Sequence, residues 1–144
     1  MKIIITGAGG FLGNSLLQSF EAQGHEVLPM SFRPHNSDTF LNDFASALPD
    51  FSPDAVINAG ASQNTKDSPE ALAELIESNV TIPASMCALL KKHQSSAVFM
   101  TFGTSWQFGE DGSPQPFNAY ASSKAALANF LDHFAQDGLR SATL

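Results

Sequence analysis

Cysteine, basic charge and long apolar runs are all scarce in this chain. Its single cysteine, Cys87, excludes an internal disulfide. It sits in a helical pattern with Met86, Leu89 and Leu90 and reads as a small buried hydrophobe rather than a reactive thiol. Only seven residues are basic against fourteen acidic, for a net charge of −7. A nucleic-acid groove needs a basic stripe and an anionic membrane surface repels such a chain, so neither is expected as a partner. The acidity reads as solubility. No apolar run approaches the roughly 18 residues of a membrane span. The apolar run Ile3 to Ile5 is broken at once by glycines and lacks a cleavage pattern, so no signal peptide is read and a cytoplasmic location is expected. His25, His35, His93 and His133 are scattered without ligand spacing, and no metal site is expected. Gly103-Thr104-Ser105 has the wrong spacing for a hydrolase nucleophile elbow.

What is present is concentrated at the N-terminus. Ile3-Ile4-Ile5 is a β-branched run bounded by glycine, suited to a parallel strand covered on both faces. Gly7, Gly10 and Gly13 follow at the spacing T-G-x-x-G-x-x-G and open a helix expected over Phe11–Gln23. Gly7 permits a tight turn, Gly10 lets backbone N–H groups approach a pyrophosphate, and Gly13 lets the helix pack close to the strand. The helix N-terminus, at Phe11 and Leu12, offers orphan N–H donors and a positive dipole end to phosphate. A plain tight turn is the alternative, but a strand before and a helix after favour dinucleotide binding.

With 144 residues, 43% of them hydrophobic and 15% charged, the chain reads as one soluble domain. It is long enough for a core and small for an enzyme with a separate substrate lobe. The second strand is read at His25–Met30, with Pro29 awkward for a central strand. Phe40-Leu41 reads as a short edge strand ahead of a short helix around Asp43–Leu48. Pro53–Gly60 is the next strand. Ser68 caps a helix with Pro69 at its first position and Glu70 in its first turn. A second helical segment spans about Asn79–Lys92, with a kink or break predicted near the point where Pro83 cannot donate to residue 79. Ala97–Thr101 is a buried strand, and the long loop Phe102–Phe117 has the length of a functional loop. Asn118 caps the helix Ala119–Gln136, whose Phe130 and Phe134 are expected to share a core face with Leu127 and Leu131, and Gly138 ends it. Leu139–Leu144 begins a last strand. The alternation implies an α/β fold, a three-layer doubly wound parallel sheet of Rossmann type. Its ligand edge would gather Gly7, Asn58-Ala59-Gly60 and the 102–117 loop.

Tyr120-Ala121-Ser122-Ser123-Lys124 places a phenol and an ammonium at i and i+4, on one helix face. A surface pair is the bland alternative. A lysine charge beside a phenol lowers its pKa, and such a phenol can pass a proton while hydride moves to a nicotinamide.

Together, Thr6-Gly7-x-x-Gly10-x-x-Gly13, Asn58-Ala59-Gly60, Thr104 and Tyr120-x-x-x-Lys124 resemble the extended short-chain dehydrogenase/reductase family, the NAD(P)-dependent sugar-nucleotide epimerases, dehydratases and reductases. The resemblance covers nearly the whole chain. It implies Tyr120 as catalytic acid/base and Lys124 as holder of the nicotinamide ribose. It implies a Ser or Thr on the reacting oxygen; Gly103-Thr104-Ser105-Trp106-Gln107-Phe108-Gly109 resembles the family's strand end, which places Thr104 in that role with Ser105 as its neighbouring competitor. Gly7, Gly10, Phe11, Leu12, Ala59 and Gly60 would hold the cofactor. Asn79 resembles a family asparagine, with a structural helix break as the alternative reading. The resemblance also implies a homodimer through the helices at 69–92 and 119–136.

Three departures refine this. NAD-selective members end their second strand with an acid, whereas this chain has Met30-Ser31-Phe32-Arg33. Ser31 and Arg33 would welcome a 2′-phosphate, so NADP(H) is favoured over NAD(H), a solvated arginine being the alternative. Thr104 is followed by Ser105-Trp106 and not Asp-Glu, which favours reduction or epimerisation over elimination. Members also continue for well over a hundred residues into a lobe that grips a nucleotide sugar, so a portion of a longer enzyme is expected, or else a minimal domain that borrows a partner. From a different class, a non-catalytic dinucleotide-binding or redox-sensing module is the rival reading.

Overall fold

A computed structural model describes residues 1–32 and 36–144. Five parallel strands, β1 (Lys2–Thr6), β2 (Glu26–Met30), β3 (Ala55–Asn58), β4 (Val98–Thr101) and β5 (Ser141–Thr143), form one sheet in the order β2-β1-β3-β4-β5. Helices cover both faces, as the alternating pattern implies. Alternation along each strand sorts the core into two layers. Ile4, Val56 and Phe99 face α2 (Ser37–Phe51), α4 (Ile82–Lys92) and α5 (Ala119–Gln136), burying Phe44, Met86, Cys87, Leu90 and Leu127 against them. Ile3, Ile5 and Ile57 face α1 (Phe11–Ala22) through Leu16, Leu17 and Phe20. Cys87 is fully buried, and burial pushes its thiol up to about 12. It is a packing residue. No helix among the described residues is long and apolar enough to cross a membrane.

Two expectations fail here. Phe40 and Leu41 are not an edge strand: they lie inside α2, a single helix of 15 residues. Phe40, Phe44 and Leu48 recur every four residues and are all buried, so the helical stripe overrides the local strand preference of a Phe-Leu pair. With no strand beyond it among the described residues, β2 is the sheet edge, and this is why Pro29 fits there. Phe130, expected in the core, is half exposed. Leu127, Leu131 and Phe134 cluster within one narrow arc of α5, and Phe130 falls outside that arc.

Other local signals are realised as read. Ser68 Oγ accepts from the Ala71 N–H at 3.2 Å and starts α3 (Pro69–Ile76), with Pro69 in the first turn. Asn118 Oδ1 accepts from the Ala121 N–H at 2.9 Å at the start of α5. The α-helix is broken next to Pro83, by widening into a π turn. Residues Glu77–Thr81 form a π-helical turn between α3 and α4, which absorbs the missing donor and turns Ser78, Asn79 and Val80 inward.

The sheet splits at β1 and β3, where the chain goes first to one side and then to the other. At that point Gly7 has φ +74, and a Cβ on it would lie 2.4 Å from the Gly60 nitrogen. A Cβ on Gly13 would lie 2.2 Å from the Gly7 carbonyl oxygen. Turn, strand end and helix therefore meet as bare backbone. Gly7→Ala and Gly13→Ala should each lower unfolding stability by about 2 kcal/mol or more, the scale of overpacking, with left-handed strain added at Gly7. A urea midpoint equal to wild type in either variant would show that the junction can open to admit a methyl.

Candidate functional site

The carboxyl ends of β1 and β3 diverge into a cleft of about 250 Å³ lined by Thr6, Gly7, Gly10, Asn58, Ala59, Gly60, Ala61, Ser62, Glu74 and Ser78. Phe32, Phe40 and Ile82 complete it. Four of the glycine-loop and strand-end residues named from the sequence, Gly7, Gly10, Ala59 and Gly60, thus share one cleft at the switch point of the sheet.

The mouth of the cleft carries the positive end of a helix. Helix α1 begins at Gly10 with no side-chain cap and no acid in its first turn, whereas α3 and α5 are capped by Ser68 and Asn118. The first N–H groups of α1 have no intrahelical acceptor, and they carry the positive end of the helix dipole. Gly10 has an ordinary extended backbone, and a Cβ there would meet only the Gly7 carbonyl at 3.4 Å. The fold can therefore accept a side chain at Gly10; its absence keeps the cleft open to a phosphate at the backbone. Phe11 and Leu12, at the first positions of α1, are exposed beside it. Ser31 is exposed at the end of β2, its Oγ 3.7 Å from where a Gly9 Cβ would stand. Arg33 lies outside the described residues.

The floor and far wall of the cleft are polar and closed. Thr6 Oγ1 donates to Asn58 Oδ1 at 2.8 Å, and Asn58 Nδ2 donates to Thr101 Oγ1 at 3.4 Å. These buried residues stand in register across β1, β3 and β4. In the wall, Asn79 Oδ1 accepts from the Ser62 N–H at 2.8 Å, while Nδ2 donates to the Ser62 carbonyl and to Ser123 Oγ, both at 2.9 Å. Ser123 Oγ donates onward to the Tyr120 carbonyl at 2.7 Å. Ser62 Oγ also donates to Glu74 at 2.6 Å, and with Asn64 it holds the Glu74 carboxyl below its usual range. One chain of hydrogen bonds therefore ties the cleft wall to the helix that carries Tyr120 and Lys124. Asn79 is both the break residue and the bridge.

Lys124 is 6% exposed, and burial lowers its ammonium to about 8. No hydrogen-bond acceptor for it lies among the described residues; its Nζ stands 5.9 Å from the centre of the Tyr120 ring. The expected lowering of the Tyr120 pKa is not found. Burial raises it, because the phenol is partly desolvated. With its stem buried and its ammonium open to the surface without a carboxylate or carbonyl partner, Lys124 suits a ligand bearing hydroxyl or phosphate oxygens.

Thr104 stands apart from the glycine cleft, in a hollow with Gly103, Ser105, Gln107, Ala128 and Thr143 beyond the ends of β4 and β5. It caps a 3₁₀ turn, Ser105–Gln107. The link to Tyr120 is Trp106, whose ring meets that of Tyr120 edge-on at 6.4 Å and that of Phe117 at 5.9 Å. The 102–117 loop is an ordered hairpin-like excursion: Phe117 donates to the Trp106 carbonyl, Gln115 to Gln107 and Gly109 to Ser113, within 2.8–2.9 Å. Ser105 is exposed, and Thr104 is half-buried. Among the described residues no group of three His, Cys, Asp or Glu side chains has a metal-holding arrangement.

Sequence reading missed Ser62, Glu74, Ser78 and Ser123 as parts of the site. Ser123, inside the Tyr-to-Lys spacing, and Ser62, two residues past Gly60, were the available signals. Glu74 and Ser78 had none, since only the packing of α3 and the π turn brings them to the cleft.

A family model described as the NAD dependent epimerase/dehydratase family matches residues 3–144. Among solved structures, UDP-glucose 4-epimerase of Thermus thermophilus, in complex with NAD, superposes with a TM-score of 0.81 at 22% identity, over 99% of this chain and 54% of that one. The Brucella ovis UDP-glucose 4-epimerase, also in complex with NAD, gives 0.84 at 18% identity over 99% and 50%. A dTDP-4-dehydrorhamnose reductase from Clostridium acetobutylicum gives 0.77 at 23% identity over 93% and 50%. The chain thus spans about half the length of these structures, which share its fold. With the family model matched from the first strand to the last residue, the chain belongs to the NAD-dependent epimerase/dehydratase family.

Proposed function

We propose that residues 1–144 form the cofactor-binding domain of an NAD(P)-dependent oxidoreductase or epimerase acting on a nucleotide-activated sugar. The observation that carries this reading is Lys124, a largely buried lysine whose ammonium is not sealed from the surface and has no internal partner among the described residues, next to Tyr120 on a helix hydrogen-bonded through Asn79 to the glycine cleft. A purely structural lysine would be exposed or paired. Family membership and the NAD in the neighbouring epimerase structures support a nicotinamide cofactor.

In this reading the α1 N-terminus and Gly10 hold the pyrophosphate, Ala59 and Gly60 form the opposite wall, and Lys124 holds the nicotinamide ribose. The bound nicotinamide supplies the hydride donor and acceptor. Tyr120 passes a proton to or from the substrate hydroxyl, its phenolate favoured by the Lys124 charge against the effect of burial. Thr104 donates to the reacting oxygen. Ser31 and Arg33, with no acid at the end of β2, favour NADP(H) over NAD(H).

Fluorescence titration of the chain tests the cofactor first. Saturable binding is expected for both reduced dinucleotides, tighter for NADPH. Gly10→Val should abolish binding without lowering the melting temperature; unchanged affinity in that variant would reduce the glycine loop to a turn. The pH dependence follows from Lys124. Its ammonium is fully formed only below about 8, so affinity should be flat on the acid side and weaken as pH rises through that value. Lys124→Met should bind more weakly and lose the dependence. A flat wild-type profile from about pH 6.5 to about pH 9.5, a range set by the usual lysine and histidine values, would remove the lysine from the site. Finally, in the full-length enzyme Tyr120→Phe should cut hydride transfer to a nucleotide sugar by about 100-fold or more, the scale of a lost acid/base, with cofactor affinity kept. Retained turnover would overturn the role of Tyr120, and cofactor binding without turnover in the full-length wild type would favour a redox-sensing module.

A further inference from the structure

Gln107 is the unusual buried side chain of the 102–117 loop. It is uncharged and 7% exposed. Its Oε1 accepts the Thr104 N–H at 2.8 Å, while its own N–H donates to the Thr104 carbonyl at 3.2 Å. Thr104 Oγ1 in turn accepts the Trp106 N–H at 3.3 Å. This is a reciprocal capping box closed on a 3₁₀ turn of three residues. So short a turn has little stability of its own. Its geometry rests on the side chains that close it.

The box determines what Thr104 can do. With the N–H taken by Gln107 and Oγ1 used as an acceptor, the Thr104 hydroxyl proton has no acceptor among the described residues and is free to be donated outward. Space for the Gln107 amide comes from Gly103. A Cβ on Gly103 would lie 3.0 Å from Gln107 Oε1 and 3.1 Å from Thr143 Cγ2. Gly103 has no positive φ to explain it, so crowding by these two side chains is the reason that the position stays bare.

We propose that Gln107 is a positioning residue for Thr104: its buried amide clamps the Thr104 backbone so that the hydroxyl presents a free proton at the sheet edge, and Gly103 is the gap that the clamp requires. The functional part rests on the reading of Thr104 given above. The clamp itself does not.

The test is a cycle of Gly103→Ala, Gln107→Val and the double variant, with Gln107→Glu as the conservative replacement. In the 144-residue chain, amide exchange at Thr104 should quicken by about tenfold in Gln107→Val, the equivalent of one lost hydrogen bond. Gln107→Glu, which keeps the acceptor, should restore protection. Gly103→Ala should lower the melting temperature alone and do so much less in the Gln107→Val background. The near-ultraviolet circular dichroism of Trp106, the one tryptophan of the chain, should change with Gln107→Val and recover with Gln107→Glu. Unchanged Thr104 exchange in Gln107→Val, or strictly additive melting shifts, would overturn the clamp. In the full-length enzyme, with UDP-glucose and whichever of NADP⁺ and NAD⁺ binds tighter as the probe pair, Gln107→Val should lower kcat about tenfold with KM held, and have no further effect in a Thr104→Val background. A further loss in that background would overturn action through Thr104. Full turnover in Thr104→Val, or none in the wild type with this probe, would count against the proposed function and leave the clamp to be decided by exchange and melting.

Discussion

Everything at the ligand edge depends on the contact of Gly7 with Gly60. A Cβ at Gly7 would overlap the Gly60 nitrogen, and one at Gly13 would overlap the Gly7 carbonyl. Backbone packed on backbone brings three things to one point: the turn after β1, the end of β3 and the first turn of α1. The helix then starts close under the sheet edge with its N–H groups uncapped. Were a side chain present at Gly13, the strands could still pair by the ladder of Ile3–Thr6 with Ala55–Asn58, but the helix could not approach. The cleft is a consequence of missing atoms.

Around that point the fold places polar groups where an apolar core would be simpler. Thr6, Asn58 and Thr101 bridge three strands, and Asn79 joins Ser62 to Ser123. Each group is satisfied; no buried side-chain polar atom among the described residues lacks a partner. Buried polar networks lose much when incomplete, so a complete one specifies a single arrangement rather than adding bulk stability. The arrangement specified is the distance from cleft wall to α5. The π turn contributes by rotating Asn79 into the bridge, at the place where Pro83 would in any case have disturbed a regular helix.

Local signals were legible because their causes are local. The glycine spacing, the Ser68 and Asn118 caps and the Gly138 stop are each decided within a few residues, and each recurs in the structure. Phe40-Leu41 misled because a pair of apolar residues has no period; only Phe44 and Leu48, four and eight residues on, reveal the helix. Phe130 misled because a wide apolar stripe does not say which edge of it meets the core. The Tyr120 reading assumed that a lysine at i+4 lies beside the hydroxyl, whereas its ammonium lies over the ring. Glu74, Ser78 and Gln107 were out of reach for a single reason: their partners are set by tertiary packing or by a turn that propensity does not announce.

The site therefore divides by chemistry. Recognition in the glycine cleft is largely a matter of backbone, so it tolerates almost no side chain and shows itself in sequence as Gly and Ala. In the proposed reading the reactive part is made of side chains on two separate supports, α5 for Tyr120 and Lys124 and the short turn for Thr104. Backbone recognition is fixed once the strands pair, but two side-chain supports must be aligned with it and with each other. Asn79 aligns the first through Ser62 and Ser123, and Trp106, edge-on to Tyr120 and bonded to Thr104, aligns the second. Both links are non-covalent, buried or aromatic, and absent from the motif residues themselves. A chain could keep every motif residue and still misplace the chemistry by losing Asn79 or Trp106, because the motifs name the reacting groups while these links set the distances between them.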